Sequence, residues 1–201
     1  LGYVRETNLA PSTLTINAGT GAAGGTVTFS NTVGSIKALS SLSASGKSIS
    51  TTGGIKTNGG AITFNADQGI TGTNAVLDTT NGGTVANGAA ISLTNATNGN
   101  INFTGTTSFN AGSSNITIQN GPLTPAAGTG AITLGTLTGK NITIHNNLSD
   151  SSATNTNNVT LNGALTASGP IDISSDSGDI SVAANQVTTL TSAIAHPINM
   201  T

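Results

Sequence analysis

The chain has 201 residues, of which 6% are charged and 2% aromatic, with no cysteine and a formal net charge of −2. Five bases spread over this length cannot neutralise a phosphate backbone, so a nucleic-acid partner is not expected, nor is attraction to an anionic membrane surface. The lack of thiols excludes disulfide staples and thiolate metal sites, and no run approaches the roughly 18 apolar residues that a membrane helix needs.

Few windows place apolar residues at helical spacing, and Gly, Thr, Asn and Ser are too frequent throughout to favour helix. The first twelve residues, LGYVRETNLAPS, differ from the rest and hold the only Tyr, the only Glu and the only Arg. Residues 1–12 are therefore read as an atypical cap, or as an arm that pairs with another molecule. The candidate self-assembly residues are Tyr3, Val4, Leu9 and, just beyond, Leu14.

From residue 13 to 201 the chain repeats an apolar–polar–apolar triplet. It begins Leu14-Thr15-Ile16, Val27-Thr28-Phe29, Ile62-Thr63-Phe64, Ile91-Ser92-Leu93 and Ile101-Asn102-Phe103. It continues Ile116-Thr117-Ile118, Ile132-Thr133-Leu134, Ile142-Thr143-Ile144, Val159-Thr160-Leu161, Ile171-Asp172-Ile173 and Ile180-Ser181-Val182. Alternation of this kind makes a short strand whose outer members face a core and whose middle member faces out. Ile36, Ile62, Ile91, Ile116, Ile142 and Ile171 recur at steps of 26, 29, 25, 26 and 29. A second, looser series runs through Val76, Ile101, Ile132, Val159 and Val187. A period near 27 with several very short strands predicts an all-β, single parallel β-helix of about seven coils with irregular ends. One coil cannot bury its own apolar face; stacked coils can, each buried aliphatic side chain contributing roughly 1.5–3 kcal/mol. Gly and Asn supply the positive φ of the corners, and Asn can also stack into amide ladders.

The rhythm breaks at Gly121 to Ala127, whose two prolines predict a departure from the ladder. It breaks again at Asn146 to Asn158, read as a projecting loop.

The stretches TLTINAGTGAAGGTVTFSNTVGS and SLSASGKSISTTGGIKTNGGAITFNA resemble the β-strand repeats of large bacterial surface exoproteins, the filamentous-haemagglutinin-like and autotransporter-like adhesins. The likeness spans about residues 13 to 185 and lies in the style of the repeat. It implies a right-handed coil, a place at the cell surface, and a role in adhesion or biofilm. The Asn-Pro-Asn type motifs of two-partner secretion are missing, so the likeness does not extend to a secretion route. No site motif matches, and no functional residue is carried over.

Candidate chemistry is sparse. Asp172, Asp176 and Asp179 are the only clustered acids, but their spacing fits neither an EF-hand nor the Asp-containing nonapeptide, and a solvated turn is the simpler reading. His145 and His196 stand 51 positions apart with no carboxylate at ligand spacing. Asp150 and Asp172 are the one pair considered for glycoside hydrolysis, which needs two carboxylates across a cleft, yet there is no Trp and one Tyr to line it. Lys37, Lys47 and Lys56 are spaced to form a short basic stripe, or serve as solubilising edge charges. Threonine pairs such as Thr13/Thr15 and Thr26/Thr28 do not persist as an ice-binding array would.

No cofactor, metal or catalytic residue is therefore expected. The reading is a non-enzymatic, extracellular or cell-surface structural protein whose helix ends join copies into a homo-oligomeric fibre, with any host-surface or matrix ligand left open. Its alternative is a stalk or passenger segment of a long adhesin; a polysaccharide-active enzyme is a remote third.

Overall fold

The computed structural model describes residues 11–123, 126–150, 156–182, 190–191 and 198–200, and these form stacked parallel sheets around one core with no helix among them. Three faces wind in turn. The first holds Thr13–Asn17, Ser41–Gly46, Ile62–Ala66, Ile91–Asn95, Ile116–Asn120, Ile142–Asn146, Ile171–Ser175 and Ile198–Met200. The second holds Thr26–Phe29, Ser48–Thr51, Ile70–Thr73, Ile101–Thr104, Ile132–Leu134, Val159–Leu161 and Ile180–Val182. The third holds Ile55–Lys56, Val76–Asp78, Ser108–Asn110, Thr136–Gly139, Leu165–Ala167 and Leu190–Thr191. Every neighbouring pair of strands within these faces is parallel, so the chain is a parallel β-helix of seven coil steps.

The triplets do what alternation requires. Ile91 and Leu93 are fully buried while Ser92 between them faces out, and the pattern repeats at Ile116/Ile118 and Ile142/Ile144. Register aligns each inward residue with its counterpart one coil on. On the first face the column runs Leu14, Leu42, Ile62, Ile91, Ile116, Ile142 and Ile171. On the second it runs Val27, Ile49, Ile70, Ile101, Ile132, Val159, Ile180. These columns, with Ile55, Leu77, Phe109, Leu137 and Leu165 of the third face, make one continuous core.

Two members of the expected series fall elsewhere. Ile36 is 82% exposed and takes no part in the first-face column; Leu42 holds that place, one step of only 20 residues before Ile62. Val76 is on the third face and points outward, and Ile70 is the residue that aligns with Ile101. At the other end Val159 aligns with Ile180, while Val187 lies outside the described residues. Ile36 and Val76 are isolated β-branched residues outside the triplets that happen to lie close to the period.

Asn146 to Asn158 was expected to project as a loop; the structure describes its two ends, and both are tucked against the stack. Leu148–Ser149 pairs in parallel with Ala126–Ala127, Leu148 is 1% exposed, and Asn157 is buried; residues 151–155 lie outside the described part. The segment is drawn in by its amides: Asn157 Nδ2 donates to Leu148 O at 2.8 Å and to Gly128 O at 3.1 Å. The proline-bearing stretch does leave the three main faces, its Ala126–Ala127 forming only that separate two-stranded ladder.

The inward positions are filled unequally from coil to coil. On the second face the column of Phe29, Thr51, Gly72 and Phe103 places the smallest residue beside the largest. A Cβ at Gly72 would collide with the Phe103 ring, so the missing side chain makes room for an aromatic one coil on. Phe103 in turn meets Phe109 of the third face edge to face, ring centroids 4.8 Å apart.

Candidate functional site

The ends of the stack are where packing is incomplete. Among the described residues Thr13–Asn17 has a strand neighbour on one side only, Ser41–Gly46. Its inward residues Leu14 and Ile16 are half-buried, whereas Leu42, Ala44, Ile62 and Phe64 in the same columns are 0–1% exposed. Val33, also in the first coil, and Ile180, on the last strand of the second face, are likewise only partly covered. Each terminal strand leaves a row of backbone donors and acceptors without a further strand among the described residues, which is a template for pairing. Of the candidate assembly residues, Leu14 stands at this edge; Tyr3, Val4 and Leu9 lie outside the described residues.

The outward faces carry neutral hydroxyls and amides. In the first-face register Thr15, Ser43, Thr63, Ser92, Thr117 and Thr143 occupy one column, which Asp172 follows. One threonine–serine column therefore does persist, though its neighbours vary from Asn17 to His145. His145 has the carboxylate neighbour that linear spacing concealed: its Nε2 lies 3.1 Å from Asp172 Oδ2, one coil on. The two side chains are 33% and 44% exposed, so this is a surface pair held by stacking. Asp176 and Asp179 are exposed in the following turn, and among the described residues no three His, Cys, Asp or Glu side chains converge as a metal site. Asp150, the other carboxylate of the pair suggested for hydrolysis, accepts from Thr156 Oγ1, and its N–H donates to Ser177 Oγ, whereas Asp172 pairs with His145. His196 is outside the described residues.

Buried polarity is concentrated in an amide ladder. Asn95, Asn120 and Asn146 are in register at the inner end of three successive first-face strands, all fully buried. Asn95 Oδ1 accepts from Gly69 N at 2.6 Å, and its Nδ2 donates to Asn120 Oδ1 at 2.7 Å. Asn120 Nδ2 donates to Gly99 O and Gly130 O, both at 3.0 Å. Asn146 Nδ2 donates to Gly130 O at 2.8 Å and Asn157 O at 2.7 Å. These side chains satisfy corner carbonyls that the strands themselves do not reach, as buried polar groups must be satisfied.

The lysines do not form one stripe. Lys37 and Lys56 border an open recess of about 260 Å³ near the first coil, together with Pro11, Ile36, Asn58 and Asn81. Lys47 stands apart, at the corner between the first and second faces, where its carbonyl accepts from Gln68 N at 2.7 Å.

Comparison with known proteins adds no identity: no family model, no curated protein and no solved structure matches this chain. The class is therefore set by the fold alone, a repeat protein of the parallel β-helix type.

Proposed function

We propose that this chain is a non-enzymatic structural or adhesive protein of the bacterial cell surface or extracellular matrix, a β-solenoid subunit that joins end to end into a fibre. The observation that carries it is the half-buried state of Leu14 and Ile16 on a strand that, among the described residues, is paired on one side only. Open apolar columns and unpaired ladder edges favour a further coil, and repeat proteins ordinarily need polar caps to stop it. The surface placement rests on the resemblance of the repeats to those of bacterial exoproteins, together with a neutral hydroxyl and amide exterior.

The alternative, a stalk or passenger segment of a long adhesin, draws on the same open columns: they can be continued within one chain as readily as by a second copy. Negative-stain imaging of the purified 201-residue chain tests the choice. Uniform fibres that fail to form when residues 1–12 are deleted support the subunit reading and its arm. Fibres unaffected by the deletion remove the arm, and dispersed short rods at high concentration favour the adhesin segment.

A further inference from the structure

An asparagine followed by glycine can lose its side-chain amide in water without an enzyme. The glycine nitrogen, unshielded by any Cβ, gives its proton to hydroxide and attacks the asparagine Cγ. A bond forms from that nitrogen to Cγ, the Cγ–Nδ2 bond breaks, and the amide leaves as ammonia with a proton from water. Water then opens the resulting imide at either carbonyl, leaving an aspartyl or an isoaspartyl residue. The step needs the side-chain amide free to swing round and the glycine N–H open to base.

The chain has six such pairs, beginning at Asn58, Asn81, Asn87, Asn98, Asn120 and Asn162. Five are restrained at both points. The glycine N–H donates in each: Gly59 to Thr79 O at 2.9 Å, Gly82 to Asp78 Oδ2 at 2.6 Å, Gly88 to Val85 O at 3.2 Å, Gly99 to Thr129 O at 3.0 Å and Gly121 to Asn95 O at 2.8 Å. The side chains are engaged too. Asn81 Nδ2 donates to Asn58 Oδ1, Asn87 Oδ1 accepts from Ser113 Oγ, Asn98 Oδ1 accepts from Thr129 N, and Asn120 is locked in the buried ladder. Asn162 has neither restraint: among the described residues, its side chain and the Gly163 N–H have no hydrogen-bond partner.

The cause lies in the register. Leu134 aligns with Leu161 on the second face, and Leu137 with Leu165 on the third. Between those columns the earlier coil has two residues, Gly135 and Thr136, and the later one has three, Asn162 to Ala164. Asn162 N still reaches Leu134 O at 2.7 Å, and Ala164 O still accepts from Leu137 N at 2.9 Å, so Gly163 between them is left out of the ladder. A Cβ at Gly163 would stand 2.6 Å from Thr136 N, so the surplus position has to be glycine, whose nitrogen is unshielded. Exposure alone would select other residues: Asn162 is half-buried, whereas Asn58, Asn87 and Asn98 are exposed.

We propose that Asn162 is a self-modification site, converted in the folded chain to an aspartyl or isoaspartyl residue while the other five pairs are protected. Each copy then gains one carboxylate at the same corner, and the formal net charge goes from −2 to −3. This stands on the corner alone and does not rest on the fibre reading.

Trypsin separates the candidates. Lys140 is the last base, so cleavage after it leaves Asn162-Gly163 as the one Asn-Gly pair of peptide 141–201, and the other five fall in peptide 57–140. The folded chain is kept in mildly alkaline buffer, sampled over days, then unfolded, digested and weighed by mass spectrometry. Peptide 141–201 should gain its acid at least about tenfold faster than 57–140, a factor that one restraining hydrogen bond is enough to supply. In urea, with every pair released, 57–140 should overtake it. The variant N162Q, whose longer side chain closes the ring far more slowly, should leave 141–201 unaltered over the same time. Equal or faster conversion of 57–140 in the folded chain overturns the proposal. So does conversion of 141–201 that persists in N162Q, and so does a folded chain in which 141–201 stays intact while the urea-treated chain converts.

Discussion

Asn95 donates an amide hydrogen to Asn120 across 2.7 Å, from one coil to the next, and neither side chain reaches solvent. Asn120 uses its acceptor on Asn95 and its donors on Gly99 O and Gly130 O, so it sits at the centre of the ladder. Replacing it with Ala removes all three bonds and leaves buried groups unpaired, at about 2–4 kcal/mol. Urea unfolding should show this as a lower midpoint with an unchanged slope. Asn146→Ala should cost less, because only the donor side of Asn146 is engaged and its Oδ1 is buried with no hydrogen-bond partner.

Asn120→Asp makes a sharper, pH-dependent case. A carboxylate there would face two carbonyl oxygens in a buried site, and both burial and those dipoles favour the protonated acid. The folded-state pKa would lie above the unfolded one, so the variant should lose stability as pH rises through the folded pKa. It should be closer to the parent near pH 4 than at pH 7. Unfolding curves at both values check the sign.

Gly72→Ala puts a methyl group where the Phe103 ring now sits. Overpacking of this kind costs about 1–3 kcal/mol. Combining it with Phe103→Leu should cost less than the sum of the two single changes, since the smaller side chain vacates the contested space. A double-mutant cycle by denaturant unfolding measures the coupling.

Leu42→Ala should destabilise by about 2–5 kcal/mol as a fully buried truncation. Ile36→Ser should change stability by less than about 0.5 kcal/mol, because Ile36 is 82% exposed. Thermal unfolding of the pair separates the column that exists from the one that the period suggested.

His145→Ala should likewise shift stability by less than about 1 kcal/mol, the usual range for an exposed ion pair. A larger loss on urea unfolding would mean that the His145 ring contributes through packing on its neighbours in the sheet.

Most of the first two faces was legible because they carry two large inward residues per strand, and the triplet is their direct signature. The third face was not. Phe109 and Leu137 each stand alone between polar neighbours, and Leu165 has only alanines as apolar neighbours, so no triplet of large residues marks them, although they share the core with the rest. Leu42 was missed for a related reason: its second inward partner is Ala44, too small to stand out in a hydrophobic pattern. The Asn ladder was foreseeable in kind, but its positions were not. In a chain this rich in Asn, only the register shows which amides are stacked inside. The pairing of His145 with Asp172, 27 positions along the sequence, is likewise a product of coil length that local spacing does not display.

The coils differ in length, from the 20 residues between Leu42 and Ile62 to the 29 between Ile62 and Ile91, yet the register holds. Most of that difference lies in one corner, between Leu77 and Ile91. There Asp78 accepts from Thr80 N at 2.8 Å and Gly82 N at 2.6 Å, and Thr79 Oγ1 bonds Ala89 through both its N–H and its carbonyl. These bonds clamp the base of the excursion, so its tip at Gly82 and Gly83 bears no part of the ladder. Such a corner is a mounting point: foreign sequence can be grafted there and displayed at a fixed height on the rod, while the scaffold beneath keeps its own count.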